Sequence, residues 1–169
     1  MPDSSPYTIF TDGACLGNPG PGGYAAILRR GAQEREFSGG FRRTTNNRME
    51  LMAAIVALEN IPAGSQATLY SDSNYLVQAV MLGWARGWKA RGWKRSGKEK
   101  ALNPDLWERL LKLLDQRAVE FIWVRGHAGH PENERCDRLS VAAAQRPNLP
   151  PDTGFETEVA VKPRQSGLF

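Results

Sequence analysis

The sequence predicts an α/β fold, a mixed sheet of five strands with helices packed on it. Three observations carry that expectation. Strand-like apolar runs at Tyr7 to Phe10, Tyr24 to Leu28 and Arg35 to Ser38 lie close enough together for an antiparallel meander. Helical periodicity takes over at Asn46, and strand-like and helix-like segments alternate from there on.

The first strand runs into Asp12 and a glycine-proline loop, CLGNPGPGG, whose glycines permit a tight return into the second. From Asn46 to Asn60, Met49, Met52, Ala53, Val56 and Ala57 recur at helical spacing, with Thr45 or Asn46 suited to the cap. Pro62 and Gly64 end that helix, and Ala67 to Tyr70 forms a fourth strand running into Ser71-Asp72-Ser73, where the serine or aspartate can cap a helix over Asn74 to Leu82. Trp84, Trp88 and Trp93 recur at a near-helical interval, the mark of an amphipathic helix packing an aromatic face. Asn103-Pro104-Asp105 starts another helix, with Leu106, Leu110, Leu113 and Leu114 on its apolar side. Ala118 to Val124 is the last strand, Gly126 to Pro131 a loop, and Glu132 to Gln145 the last helix.

A length of 169 residues fits one domain, assigned to 1–147, and the proline-rich polar stretch 148–169 is expected to be a mobile tail. No apolar run approaches the ~20 residues of a membrane span, so no membrane partner is expected. MPDSSPY lacks the basic and apolar regions of a secretory signal, and two cysteines, Cys15 and Cys136, do not make a disulfide framework. The expectation is a cytoplasmic protein, and nothing in the chain demands an oligomer, so a monomer. The net charge of +4 is modest, but between Trp84 and Lys100 stand Arg86, Lys89, Arg91, Lys94, Arg95, Lys98 and Lys100 against the lone acid Glu99. Such a block is the electrostatic footprint for a polyanion, nucleic acid first among them.

Asp12 and Asp72 each end a strand, Glu50 sits near the start of a helix, and Asp137 lies in the first half of the last helix. Each has an ordinary explanation when taken singly: a turn for Asp12, a cap for Asp72, solvated helix positions for Glu50 and Asp137. Together they make a candidate site, because crowded acids are stable only with cations among them, and an all-oxygen site selects magnesium, with manganese as the substitute. Two ions about 3.5–4 Å apart would serve an in-line displacement at phosphorus. His127 stands in a glycine-flanked loop nearby; taken singly it reads as an exposed polar residue, and beside two metals it would shuttle a proton or help release product, whereas His130, before a proline, reads as a residue that shapes the loop.

The segments FTDGACLGNPGPGGYAAIL, TTNNRMELMAAIVALE, SDSNY and WVRGHAGHPENERCD closely resemble the bacterial ribonuclease H type 1 family, in order, from about Tyr7 to Val159. The resemblance implies the ribonuclease H-like fold, with three antiparallel strands and then parallel ones, and a basic protrusion. It implies Asp12, Glu50, Asp72 and Asp137 as the metal-binding catalytic acids and His127 as the mobile proton carrier. It also implies endonucleolytic cutting of the RNA strand of RNA–DNA hybrids, leaving 3′-hydroxyl and 5′-phosphate ends. Cys15, Gly17, Asn18, Asn46, Asn47 and Asn74 take the positions of contacts in the groove that exposes the 2′-hydroxyl. Asn74 stands where a longer glutamine is familiar.

WARGWKARGWKR matches the family's substrate-handling protrusion, with Lys89, Arg91, Lys94 and Arg95 toward the DNA-strand phosphates and Trp84 and Thr45 as contacts to the DNA backbone. The final Gln165-Ser166-Gly167-Leu168-Phe169 resembles the peptide by which bacterial replication proteins dock on the sliding clamp, with Gln165, Leu168 and Phe169 as anchors. Two other readings of the acids are a polynucleotidyl transferase of the same fold and a hybrid-binding module without catalysis. The asparagine-rich motifs argue against the first, because strand transfer needs no reader of the 2′-hydroxyl. The presence of all four acids argues against the second.

Overall fold

A computed structural model describes residues 5–125 and 129–158. Three long strands open the chain, β1 (Tyr7–Cys15), β2 (Gly20–Arg30) and β3 (Gln33–Thr44), followed by α1 (Asn46–Glu59), β4 (Gln66–Ser71), α2 (Asn74–Met81) and α3 (Trp84–Ala90). A small hairpin comes next, β5 (Lys94–Ser96) with β6 (Glu99–Lys100), then α4 (Pro104–Asp115), β7 (Ala118–Trp123) and α5 (Pro131–Ala144). The main sheet has five strands in the order β3-β2-β1-β4-β7. β1 pairs antiparallel with β2, and β2 with β3, while β4 runs parallel to both β1 and β7. This is the mixed sheet expected from the sequence.

Alternation along β1 and β2 divides the helices between the two faces. Ile9, Ala26 and Leu28 point into the larger core with Leu51, Ile55, Leu58, Leu69, Trp107 and Leu110. Phe10, Ala25 and Ile27 point the other way, against Cys136 and Leu139 of α5. Two glycines set how closely the helices approach. A Cβ at Gly13 would lie 2.5 Å from the Glu50 nitrogen, and one at Gly23 would lie 2.1 Å from the Ser140 carbonyl oxygen. Any larger residue would push α1 or α5 off the sheet.

Several elements depart from expectation. β1 does not end at Asp12 but continues to Cys15, because Asp12, Gly13, Ala14 and Cys15 pair with Ala25, Tyr24, Gly23 and Gly22. β3 is three times the length expected; its ladder with β2 holds added positions such as Gln33, Glu34, Gly39 and Gly40 in a strand despite their lack of an apolar pattern. The tryptophan-rich segment is not one helix. α3 stops at Ala90, and left-handed backbone at Gly92 (φ 69°) and Trp93 (φ 65°) turns the chain into the β5–β6 hairpin. Trp88 is buried against Tyr75 and Trp107, with ring centroids at 6.2 and 5.8 Å, and Trp93 packs on the same core. Trp84 remains exposed.

The largest correction concerns the expected tail. Residues 148–158 pack on the domain, and residues 153–158 are helical. The anchor is Asp152, 6% exposed, which accepts from Arg48 at 2.7 and 2.9 Å and from the Thr44 hydroxyl at 2.7 Å. Arg48 is itself 1% exposed and also donates to both Asp105 oxygens, at 2.9 and 2.7 Å. Burial alone would pull the guanidinium down, but Asp105 and Asp152 outweigh it and hold it above its ordinary range. The Arg42 N–H donates to the Pro150 carbonyl at 2.9 Å, adding a main-chain tie. A buried cation needs buried partners, and the segment supplies one. The final residues 159–169, with the expected clamp-docking anchors Gln165, Leu168 and Phe169, lie outside the described residues.

Removing one partner of a buried pair strands the other. Asp152→Ala is expected to cost about 3 kcal/mol, and truncation after Arg146 at least as much. Glu156→Gln, which breaks a rim pair with Arg42 at 3.0 Å, should cost under about 1 kcal/mol. Urea unfolding of the three variants checks the order.

Candidate active site

The parallel ladder between β1 and β4 ends at Thr11↔Ser71, and the next residue on each strand is an aspartate, Asp12 and Asp72. The two acids therefore stand side by side where the strands part, at the carboxyl end of a parallel pair, the position at which open α/β sheets build their sites. Thr45 caps α1 by accepting from the Arg48 N–H at 3.3 Å. One turn further, Glu50 faces β1, where Gly13 lets the helix close in. One carboxylate oxygen from each of Asp12, Glu50 and Asp72 lies within 4.8 Å of the others.

Asp12 and Glu50 are each 4% exposed. Burial, then the Asp72 charge, push the Asp12 carboxyl up to about 8, although hydrogen bonds from Glu50 and from the Gly13 N–H at 2.8 Å work the other way. Burial, then Asp12 and Asp72, raise Glu50 well above the carboxylate range. The Glu50 Oε2 atom is buried with no hydrogen-bond partner among the described residues. Among the described residues, the groups that act most strongly on Asp12 and Glu50 are other carboxylates and no cation. An orphaned carboxylate oxygen beside two further carboxylates is the donor set of a hard divalent cation, so the residues fit one.

Asp137 does not share the spacing of the three. It is half-buried midway along α5, and its charge still contributes to raising Asp12. The fourth expected acid therefore faces the cluster electrostatically without joining it. His127 falls in 126–128, outside the described residues.

The expected groove residues come from two elements that touch. The Asn46 N–H donates to the Asn18 side-chain oxygen at 3.0 Å, joining the β1–β2 loop to the start of α1. The Cys15 thiol donates to the carbonyls of Gly20 and Thr44, both at 3.4 Å, so it ties the same two segments from beneath. Gly17 has φ 89°, which the turn requires. Asn18, Thr45, Asn46 and Asn47 line a groove of about 340 Å³ whose other wall is Leu102, Asn103, Phe155 and Glu158. Those four were not expected. Asn103 reads in sequence as a helix start, and the other three carry no local signal. Asn74 is exposed at the first position of α2.

The basic protrusion carries Lys89, Arg91, Lys94 and Arg95, all exposed. Arg95 pairs with Glu99, and Arg91 donates to the Arg95 carbonyl at 3.2 Å. Lys89, Arg91 and Lys94 therefore offer more unbalanced charge than Arg95. Exposed Trp84 stands at the base of the protrusion, on the first turn of α3.

Comparison with known proteins agrees with this geometry. The family model described as RNase H matches residues 4–145. A ribonuclease H of Desulforamulus reducens is 61% identical over 145 residues, covering 86% of this chain and 91% of that protein. One from Rippkaea orientalis is 60% identical over 150 residues, covering 89% and 92%. Among solved structures, LC9-RNase H1, a type 1 RNase H with the type 2 active-site motif, superposes with a TM-score of 0.72 at 32% identity, covering 85% of this chain and 74% of that one. With the sheet, the buried acids and this breadth of similarity in agreement, the chain belongs to the RNase H family and is a ribonuclease H endonuclease.

Proposed function

We propose that the chain hydrolyses the RNA strand of RNA–DNA hybrids with two divalent cations held by Asp12, Glu50 and Asp72, and with Asp137 completing the set. The observation that carries this reading is the buried triad, with its oxygens within 4.8 Å and one Glu50 oxygen unpartnered. Hard oxygen donors of like charge suit magnesium, with manganese as the substitute. When bound, such ions supply Lewis-acid activation of water and stabilise charge on the attacking and leaving oxygens.

The chain's own groups do the rest. A bond forms between the water oxygen and phosphorus and the P–O3′ bond breaks, so the upstream RNA keeps a 3′-hydroxyl and the downstream piece a 5′-phosphate. His127 is the proton carrier in this reading. Asn18, Asn46 and Asn47 meet the wide groove of the hybrid, where the 2′-hydroxyl marks the RNA strand. Lys89, Arg91 and Lys94 meet the phosphates of the DNA strand across the protrusion.

Cleavage of a labelled hybrid, beside duplex DNA and duplex RNA, tests the reading directly. Hybrid-only cutting of the RNA strand is expected, and Asp12→Asn should keep hybrid binding while losing about 10³-fold in rate. A wild type that binds the hybrid but cuts nothing with magnesium or manganese would leave a binding module.

Replacing Lys89, Arg91 and Lys94 with alanine together should raise KM and reduce the slope of log KM against log salt by roughly 2–3. Turnover should stay within about twofold, since these charges bind substrate and transition state alike. An unchanged salt slope would remove the protrusion from the binding surface.

The raised acids also make stability depend on pH. A carboxyl whose folded value exceeds its unfolded one stabilises the fold most when protonated, and that contribution is lost as pH rises from about 3.8 through about 8. Without divalent ions, Tm should therefore fall between pH 5 and pH 8. Asp12→Asn should raise Tm at pH 8, and magnesium should raise it for the wild type but not for the variant. Thermal melts in chelator and in magnesium at both pH values check the sign.

A further inference from the structure

Trp123 is the last residue of β7, and packing does not account for it: the residue is 43% exposed on an edge strand. Its indole Nε1 donates to the main-chain carbonyl of Asp72 at 3.1 Å. The guanidinium of Arg125 lies over the same ring, 5.9 Å from its centroid, a cation–π contact that steadies it.

The bond falls at a particular place in the chain. The β4–β7 ladder ends at Ser71↔Trp123, closed by the Val124 N–H to the Ser71 carbonyl at 2.9 Å. Asp72 is the first residue past that ladder. Beyond it the Ser73 N–H donates to the Ser71 hydroxyl at 3.0 Å, and the Ser73 hydroxyl caps α2 by accepting from the Leu76 N–H at 3.2 Å. Across Asp72 the backbone thus changes from strand to helix entry, and the peptide plane after it helps decide where its side chain points. The indole holds that plane from the neighbouring strand, a span that needs a long, rigid side chain with its donor at the far edge.

We propose that Trp123 is a positioning residue: by holding the Asp72 carbonyl, its indole N–H keeps the Asp72 carboxylate in register with Asp12 and Glu50 for the divalent cation. The inference rests on the metal reading above and deepens it. A functional constellation tolerates about 0.5 Å and 10–20° of error. A rotation of roughly 20° at Asp72 moves its carboxylate oxygens by about 1 Å, beyond that tolerance. Trp123→Phe keeps an aromatic ring at this position while removing the donor, together with the pyrrole part of the indole.

The test is a calorimetric titration of magnesium, and of manganese, into the full chain as wild type, Trp123→Phe, Asp72→Asn, the double variant and Asp12→Asn, with hybrid kinetics on the wild type and Trp123→Phe. Trp123→Phe should bind the ion roughly tenfold more weakly, as outer partners of metal ligands do when lost. Its kcat at a fixed subsaturating magnesium concentration should fall by a similar factor, with KM for the hybrid within about twofold and the metal-free Tm unchanged. Added to Asp72→Asn, the same substitution should weaken ion binding no further. Equal ion affinity in wild type and Trp123→Phe, or a loss that persists fully in the Asp72→Asn background, would overturn the proposal while leaving the metal reading intact. Ion binding that Asp12→Asn does not weaken would overturn the metal reading, and the proposal with it.

Discussion

Burying two carboxylates against each other is the constraint on which this structure turns. Asp12 and Glu50 lose their water and gain one another, and Asp72 adds a third charge at the rim. Nothing about the isolated groups favours that arrangement, so the scaffold has to impose it. It does so from both sides of β1. The ladder to β2 continues past Asp12 and fixes its backbone, while Gly13 removes the side chain that would keep α1, and Glu50 with it, at a distance. The sheet is long at this point because a short strand would leave Asp12 at a free end.

The same helix carries the opposite case two residues earlier. Arg48 is as deeply buried as Glu50, yet its charge is answered by Asp152 and Asp105 and its donors are used. One buried ion on α1 is balanced by protein and stabilises the start of the helix. The other faces further carboxylates and, among the described residues, keeps one Glu50 oxygen without a hydrogen-bond partner. The contrast separates a structural ion network from a functional one better than either pKa shift would alone, since both networks perturb their members.

Much of this was legible in the sequence, and what was not has identifiable causes. Thr45 as a cap, the meander of three strands and the two aspartates at the ends of parallel pairing all follow from local chemistry. The full length of β3 does not, because an edge strand can be held by its neighbour's ladder while its side chains stay polar. The hairpin after α3 hides behind tryptophans at helical spacing, and left-handed backbone at Trp93, a residue with no preference for it, breaks the pattern. Asp152 lies in a proline-rich stretch that looks unstructured, and only the distant Arg48 and Thr44 explain its burial. Trp123 is invisible for a related reason: its partner is a main-chain carbonyl, and main-chain groups leave no mark in a sequence. Asp137 shows the limit of counting acids, for it belongs to the motif pattern yet stands apart from the three that share one spacing.

The packed segment 148–158 brings the carboxyl-terminal end of the described chain to the groove, where Phe155 and Glu158 form part of one wall. Whatever follows Glu158 is thus leashed at the mouth of this groove. The remaining 11 residues, fully extended, reach no more than about 40 Å. A macromolecule gripping the last five would hold this groove within that radius, at an effective local concentration on the order of millimolar. For an enzyme whose substrate is a long polymer, such tethering converts a search through solution into a search along one strand.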